Sequence, residues 1–117
     1  LNSASNFKLL EVGCGPGYFL RCLERWYPKC EAVGTDIDQG LIEHAKKYLR
    51  KTKLIRHDAH NLPFDNESFD VLCSLQVIEH LEKPESFFKE ANRVLKKEAV
   101  DYLNAKSKRN SGESSEK

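Results

Sequence analysis

The chain has 117 residues, which is enough for one modest domain. Its 19 basic and 18 acidic residues leave a formal net charge of +1, a balance that gives no reason to expect nucleic acid, a membrane surface or an acidic protein as partner. No apolar run could span a bilayer, no secretory signal is visible, and the four cysteines lack zinc-type spacing, so we expect reduced thiols in the cytoplasm.

The two ends of the chain have unusual features. The sequence contains no methionine, and its first predicted strand begins within a few residues of the first position, so we expect a piece of a longer protein. Residues 1–104 are predicted to form an incomplete domain. Residues 105–117 are almost entirely polar and are predicted to be a disordered tail.

The first predicted strand, residues 8–12, ends in a turn with glycine at positions 13, 15 and 17. Glycine permits positive φ and close approach of a ligand to the backbone. The helix that follows has an apolar stripe of Phe19, Leu20, Leu23 and Trp26. Strand, glycine turn and helix together are typical of a nucleotide-type cofactor site, although a glycine-rich turn without such a function stays open. A dinucleotide fingerprint needs glycine where Tyr18 stands, which disfavours an NAD-type oxidoreductase.

The second predicted strand, residues 31–36, ends at Asp36. A carboxylate at this point of a βαβ unit can accept hydrogen bonds from both hydroxyl groups of a ribose, and the alternative is a solvated loop acid. Asp38 is a good N-cap for a helix that extends to residue 49. The predicted apolar positions of this helix are Leu41, Ile42, Ala45, Tyr48 and Leu49.

Two further strands and a helix are predicted in the second half. Residues 53–56 form a short strand that leads to Asp58, and residues 69–74 form a buried strand. Pro84 suits the first turn of a helix whose apolar spacing continues to residue 103. The apolar face of this helix begins with Phe87, Phe88, Ala91, Val94 and Leu95.

Alternating strands and helices predict an α/β fold with a doubly wound parallel sheet. In such sheets, cofactors bind beyond the carboxyl ends of the strands. Glu11, Asp36, Asp58 and the residues 76–80 all follow or end predicted strands, so they are expected to meet at one edge of the sheet.

Five ordered motifs over residues 8–97 resemble class I AdoMet-dependent methyltransferases, in particular the type 11 group. They are Glu11 with the G-x-G-x-G turn, Val-Gly-Thr-Asp-Ile-Asp at 33–38, Asp-Ala at 58–59 with Leu-Pro-Phe-Asp at 62–65, Ser-Phe-Asp-Val at 68–71, and Val-Ile-Glu-His-Leu at 77–81. The resemblance implies a Rossmann-like sheet, of which about four strands in the order 3-2-1-4 are present. It also implies that the fourth strand is an exposed edge, through which the chain could self-associate.

The resemblance implies a role for each matching residue. Gly13, Gly15 and Gly17 would shape the turn under the methionine part of AdoMet, and Glu11 would orient its ammonium group. Asp36 would hold the ribose hydroxyls.

At the other end of the cofactor, the resemblance implies that Ile37 packs on the adenine face. Asp58 would accept a hydrogen bond from the adenine amino group, with the Ala59 N–H beside it, although Asp58 could instead cap a loop turn. Leu75 and Gln76 would lie near the sulfonium and the opening for the acceptor.

His80 is the candidate catalytic residue. It could act as a base for an acceptor that loses a proton, or it could stabilise its loop. RNA 2′-O-methyltransferases that act on RNA ends carry a glutamate where this chain has Gln76, so one ligand fewer is present and no metal site is expected. His44, His57 and His60 show no partners in the pattern and are expected at the surface.

These features predict an AdoMet-dependent methyltransferase with an unidentified, small-molecule acceptor. A truncated or degenerate relative that binds AdoMet without catalysis is the main alternative. An RNA 2′-O-methyltransferase is a minor one.

Overall fold

The computed structural model describes residues 2–75 and 77–98, and a parallel sheet lies at its centre. The strands are β1 (Phe7–Val12), β2 (Cys30–Asp36), β3 (Lys53–Arg56) and β4 (Val71–Cys73). The helices are α1 (Tyr18–Trp26), α2 (Gln39–Lys46) and α3 (Pro84–Val94), and a 3₁₀ turn at Ile78–His80 precedes α3. The order β3-β2-β1-β4, with all neighbours parallel, confirms the predicted fold class and strand order.

Strand β1 is the centre of the fold, and all its residues except Lys8 are buried. Side chains alternate between the faces of a strand. Leu10 and Val12 pack into a core with α3, whereas Phe7 and Leu9 pack into a second core with α1 and α2. Helices therefore cover both faces, and this explains why β1 is an almost continuous apolar run.

Two of the predicted helix starts are confirmed. The Asp38 side chain caps α2 by accepting a hydrogen bond from the Leu41 N–H at 3.1 Å. Pro84 lies in the first turn of α3, where its missing N–H costs no hydrogen bond.

The predicted apolar stripes of the helices are too wide. Trp26 at the end of α1 is 61% exposed, and Phe88 on α3 is 49% exposed. Their neighbours Leu23 and Phe87 are buried. A helix that lies on a sheet buries only one stripe of its surface, so apolar residues at the margin of the pattern face solvent.

Helix α3 ends earlier than predicted, because Leu95 pairs with a residue distant in the sequence instead of continuing the helix. Leu95 has an extended backbone (φ −82°, ψ 144°) and forms a parallel bridge with Phe69. The Phe69 N–H donates to the Val94 carbonyl at 3.0 Å, and the Lys96 N–H donates to the Phe69 carbonyl at 2.9 Å. For the same reason β4 begins later than predicted, since Phe69 pairs with Leu95 just after α3. Helix α2 likewise ends at Lys46, before residue 49.

Residues 97 and 98 are helical again after the bridge at Leu95, whereas Gln76, the rest of the predicted helix at 99–103 and the predicted tail at 105–117 lie outside the described residues. Within residues 2–75 and 77–98, no helix has both the length and the apolar character needed to cross a membrane.

Candidate functional site

A cleft of about 750 Å³ opens at the carboxyl ends of the strands. Four of its lining residues lie at or after the ends of β1 to β3, namely Glu11, Asp36, Ile37 and Asp58. Gly13, Gly15, Ala59, Leu75 and His80 line it from the connecting loops. Nine of the eleven predicted site residues thus surround one cavity.

Gly13 lets two segments of the site meet. Its φ is +77°, and a Cβ built on it would lie 2.1 Å from Cγ2 of Val77. Its N–H and that of Cys14 donate to the Thr35 carbonyl at 2.7 and 2.8 Å. The glycine turn is therefore fixed to the end of β2, and the chain after β4 closes over it. Neither Thr35 nor Val77 could be singled out from the motifs.

Asp36 organises the same turn. Its Oδ2 accepts a hydrogen bond from the Gly15 N–H at 2.8 Å, and its Oδ1 accepts one from the Asp38 N–H at 2.9 Å. Each carboxylate oxygen can accept a second hydrogen bond, so the group can still bind hydroxyl donors. A Cβ added at Gly15 would meet nothing within 4 Å, which leaves this part of the turn open to a ligand.

Gly17 occupies a different place from the other two glycines. It is the N-cap of α1 with φ +87°, and a Cβ there would lie 3.1 Å from Cβ of Ala45 and 3.4 Å from Cδ1 of Leu49. It is not among the residues that line the cleft. Gly17 thus allows the start of α1 to pack closely against Ala45 and Leu49, and its role in the turn under a cofactor stays a prediction.

Glu11 is a buried acid near the end of β1. It is 3% exposed, and its Oε1 has no hydrogen bond within the described residues. Burial, with a smaller contribution from the charge of Asp36, raises the pKa of Glu11 to about 7. Thr35 Oγ1 and Ser74 Oγ are also buried and have no hydrogen-bond partner in the part of the chain that the structure describes. All three atoms lie at the carboxyl ends of strands, where a bound polar ligand could supply the missing hydrogen bonds.

Asp58 and His60 form a pair in the loop after β3. Asp58 Oδ1 accepts from the His60 N–H at 2.8 Å and lies 2.7 Å from His60 Nδ1. The backbone hydrogen bond, and then the one from the imidazole, lower the pKa of Asp58 below its usual range. The expectation that His60 is a surface residue without partners was therefore wrong. Asp58 thus caps an Asx-type turn, which is the alternative role that the sequence left open. Both hydrogen bonds use Oδ1, so Oδ2 has no partner in the described part of the chain.

The rim of the cleft carries apolar and titratable side chains. Ile37 and Leu75 are exposed although they are large and apolar. His80 closes the 3₁₀ turn, where its N–H donates to the Val77 carbonyl at 2.9 Å, and it lines the cleft. Among the described residues, no three His, Cys, Asp or Glu side chains cluster in a way that could hold a metal ion.

The sequence of the chain is similar to sequences of known methyltransferases. Residues 10–102 match a family model described as a methyltransferase domain. The chain is 36% identical over 91 residues to malonyl-[acyl-carrier protein] O-methyltransferase of Legionella pneumophila, a match that covers 75% of this chain and 32% of that protein. It is 34% identical over 90 residues to demethylmenaquinone methyltransferase of Thermotoga maritima, with 77% and 39% of the two chains covered. The chain thus spans between about a third and two fifths of the length of these curated relatives.

Solved structures share the fold. One is the complex of the Trm112 methyltransferase activator from Haloferax volcanii with its candidate methyltransferase, at a TM-score of 0.74 and 25% identity, covering 80% of this chain and 42% of that one. The family model matches most of the sequence, and the sheet order and the cleft agree with it. The chain therefore belongs to the methyltransferase domain family.

Proposed function

We propose that the cleft binds S-adenosyl-L-methionine (AdoMet) and that the chain is the cofactor-binding part of a methyltransferase acting on a small-molecule acceptor. The observation that carries this proposal is Glu11, a buried carboxyl group whose Oε1 has no partner in the described residues. A cationic donor suits such a group, because a buried carboxylate is costly unless it is paired and a positive charge beside it favours the ionised form. The methionine part of AdoMet carries an ammonium group.

The remaining cleft residues fit the rest of the same ligand. Asp36 has acceptor capacity left for two ribose hydroxyls. Ile37 offers an exposed apolar surface on which a base can lie. Asp58 Oδ2 has no partner in the described residues and can accept from an exocyclic amine, and Ala59 lines the same cleft. Leu75 would lie near the opening for the acceptor, and the same role is proposed for Gln76.

Bound AdoMet supplies an electrophilic methyl group on a sulfonium. The chain contributes by holding the cofactor so that an acceptor can attack in line, because proximity and orientation lower the barrier of such a transfer. His80 lines the cleft and is our candidate base for an acceptor that must lose a proton.

The acceptor is proposed to be a small molecule, on the support of the exposed apolar side chain of Leu75 at the rim of the cleft. The names of the two relatives refer to different acceptors, malonyl-[acyl-carrier protein] and demethylmenaquinone, so family membership does not select one. A cytoplasmic location belongs to the same proposal and is supported by four unpaired cysteines. Self-association through the outer edge of β4 is proposed as well.

Calorimetric titration with AdoMet and S-adenosylhomocysteine tests the cofactor. Glu11→Gln removes the charge and is expected to weaken binding by about 10- to 100-fold, the value of a hydrogen bond between charged groups. Glu31→Gln is the matched control, because Glu31 is an exposed acid at the opposite end of β2. A folded wild-type chain that binds neither compound, or equal affinities of wild type and Glu11→Gln, would contradict the proposal.

The alternative, a relative that binds AdoMet without catalysis, predicts the same affinities in this calorimetric titration. Transfer of a labelled methyl group from AdoMet to a panel of quinols and malonyl thioesters separates the two, since only the enzyme yields a labelled product.

A further inference from the structure

His60 connects two neighbouring segments of the cleft wall. One is the loop after β3, which carries Asp58, and the other is the segment 77–83 that leads into α3. The imidazole reaches both, because Nδ1 lies 2.7 Å from Asp58 Oδ1 and Nε2 lies 3.2 Å from the backbone N of Lys83.

The two contacts define where the proton of the imidazole lies. The Lys83 backbone N–H can only donate, so His60 Nε2 must be the acceptor. Asp58 Oδ1 accepts, so His60 Nδ1 must carry the proton. The arrangement therefore requires the neutral Nδ1–H tautomer of His60.

The same contacts give the two oxygens of Asp58 different partners. Oδ1 receives two donors from His60, its backbone N–H and its Nδ1–H. Oδ2 is left for a ligand. The side chain of Asp58 is 58% exposed, against 25% for that of His60, so packing alone holds Asp58 weakly and the hydrogen bonds from the better-buried histidine fix its orientation.

We propose that His60 is a positioning residue with two contacts. Its Nδ1–H orients Asp58 so that Oδ2 accepts from the amino group of adenine. Its Nε2 fixes the loop after β3 to the segment before α3. The inference rests on the proposed function, because it assumes that adenine lies against Asp58. The Asp58 carboxylate accepts from an amine and repels a carbonyl oxygen in the same position. By orienting Asp58, His60 would therefore make the site selective for adenine over hypoxanthine.

The tautomer can be measured without any ligand. Long-range ¹H–¹⁵N NMR correlations of the imidazole in the full chain distinguish a protonated Nδ1 from a protonated Nε2. We expect the Nδ1–H form for His60, and finding the Nε2–H form would overturn the proposal.

The selectivity is measured by titrating S-adenosylhomocysteine and its 6-deaminated analogue, which carries hypoxanthine. The wild type is expected to prefer the adenine compound by about 10-fold or more, the range of a hydrogen bond to a charged group. His60→Ala is expected to lose most of this preference. His60→Asn places an amide N–H near the position of Nδ1 and is expected to restore it, which loss of folding stability alone would not do. His44→Ala, on the exposed side of α2, is the control.

The outcomes separate the two proposals. If the wild type binds neither compound, the proposed function fails and this inference fails with it. If the wild type binds with adenine preference and His60→Ala keeps that preference, only the role of His60 is overturned.

Discussion

At the scale of single residues, Glu11 shows how a buried acid costs stability when it ionises in the folded protein. Its pKa is raised from 4.5 to about 7, first by burial and then by the charge of Asp36. Because the folded value lies above the unfolded one, the folded state holds the proton more tightly. The resulting stability is fully present below about pH 4.5 and is lost as the pH rises through about 7. A rise of this size corresponds to roughly 3 kcal/mol.

The substitution Glu11→Gln removes this titration. We expect wild type and variant to differ little in free energy of unfolding at pH 5, and the variant to be more stable by up to roughly 3 kcal/mol at pH 8. Urea unfolding at both pH values measures the difference. The depressed pKa values of Asp58 and Asp70 affect stability only at more acid pH, so they do not interfere. Equal pH dependence in wild type and variant would show that Glu11 is not a strained acid.

At the scale of elements, α3 fixes the loop that precedes β4. Arg93 donates from Nη1 to the Phe64 carbonyl at 2.7 Å and from Nη2 to the Leu62 carbonyl at 2.9 Å. Glu90 pairs with Arg93 at 2.9 Å, and its Oε1 also accepts from the Leu62 N–H at 2.8 Å. This pair gives the irregular segment at 61–68 hydrogen-bond partners that a sheet would otherwise supply.

Replacing Arg93 by alanine is expected to lower the free energy of unfolding by about 1–3 kcal/mol, because carbonyl groups and the partly buried Glu90 lose their partner. Urea denaturation measures this loss. Lys89→Ala is the control, since Lys89 is exposed on the same helix. Faster hydrogen exchange in the loop at 61–68 is expected only for the Arg93 variant, and a loss of stability equal to that of the control would contradict the assignment.

At the scale of the whole molecule, the motifs at the strand ends predicted the place of the cleft, whereas the strand order followed from the family resemblance that those motifs carry. Contacts between distant residues could not be predicted in this way. The bridge from Leu95 to Phe69 ends α3 against its helical spacing, and the hydrogen bond from Lys83 to His60 joins residues that no local pattern relates. Spacing also could not show that Gly17 faces α2, since a turn glycine is required equally for a ligand and for a neighbouring helix.

The outer edge of β4 is the edge of the sheet at which a second copy of the chain could pair. Within residues 2–75 and 77–98, β4 pairs only with β1. The Asp70 N–H donates to the Lys8 carbonyl of β1 at 2.8 Å, and because successive N–H groups of a strand alternate in direction, those of Val71 and Cys73 point away from β1. Within the described residues these two donors have no partner, although residues 95–96 already pair with Phe69 on the same side. They invite pairing with a second copy, but an edge of three residues buries far less than the roughly 1,000 Å² of a stable interface.

We therefore expect weak, concentration-dependent dimerisation, measured by sedimentation velocity under reducing conditions. Cys73→Pro removes one outward N–H and leaves the pairing with β1 intact, so it is expected to shift the chain towards the monomer. Cys73→Ala removes the thiol but keeps the N–H, and it should associate like the wild type. If the proline variant associates as the wild type does, or the wild type stays monomeric at every concentration, the edge of β4 is not a docking surface. If the proline variant alone is monomeric and its circular dichroism is native, the backbone of β4, and not its side chains, drives the association.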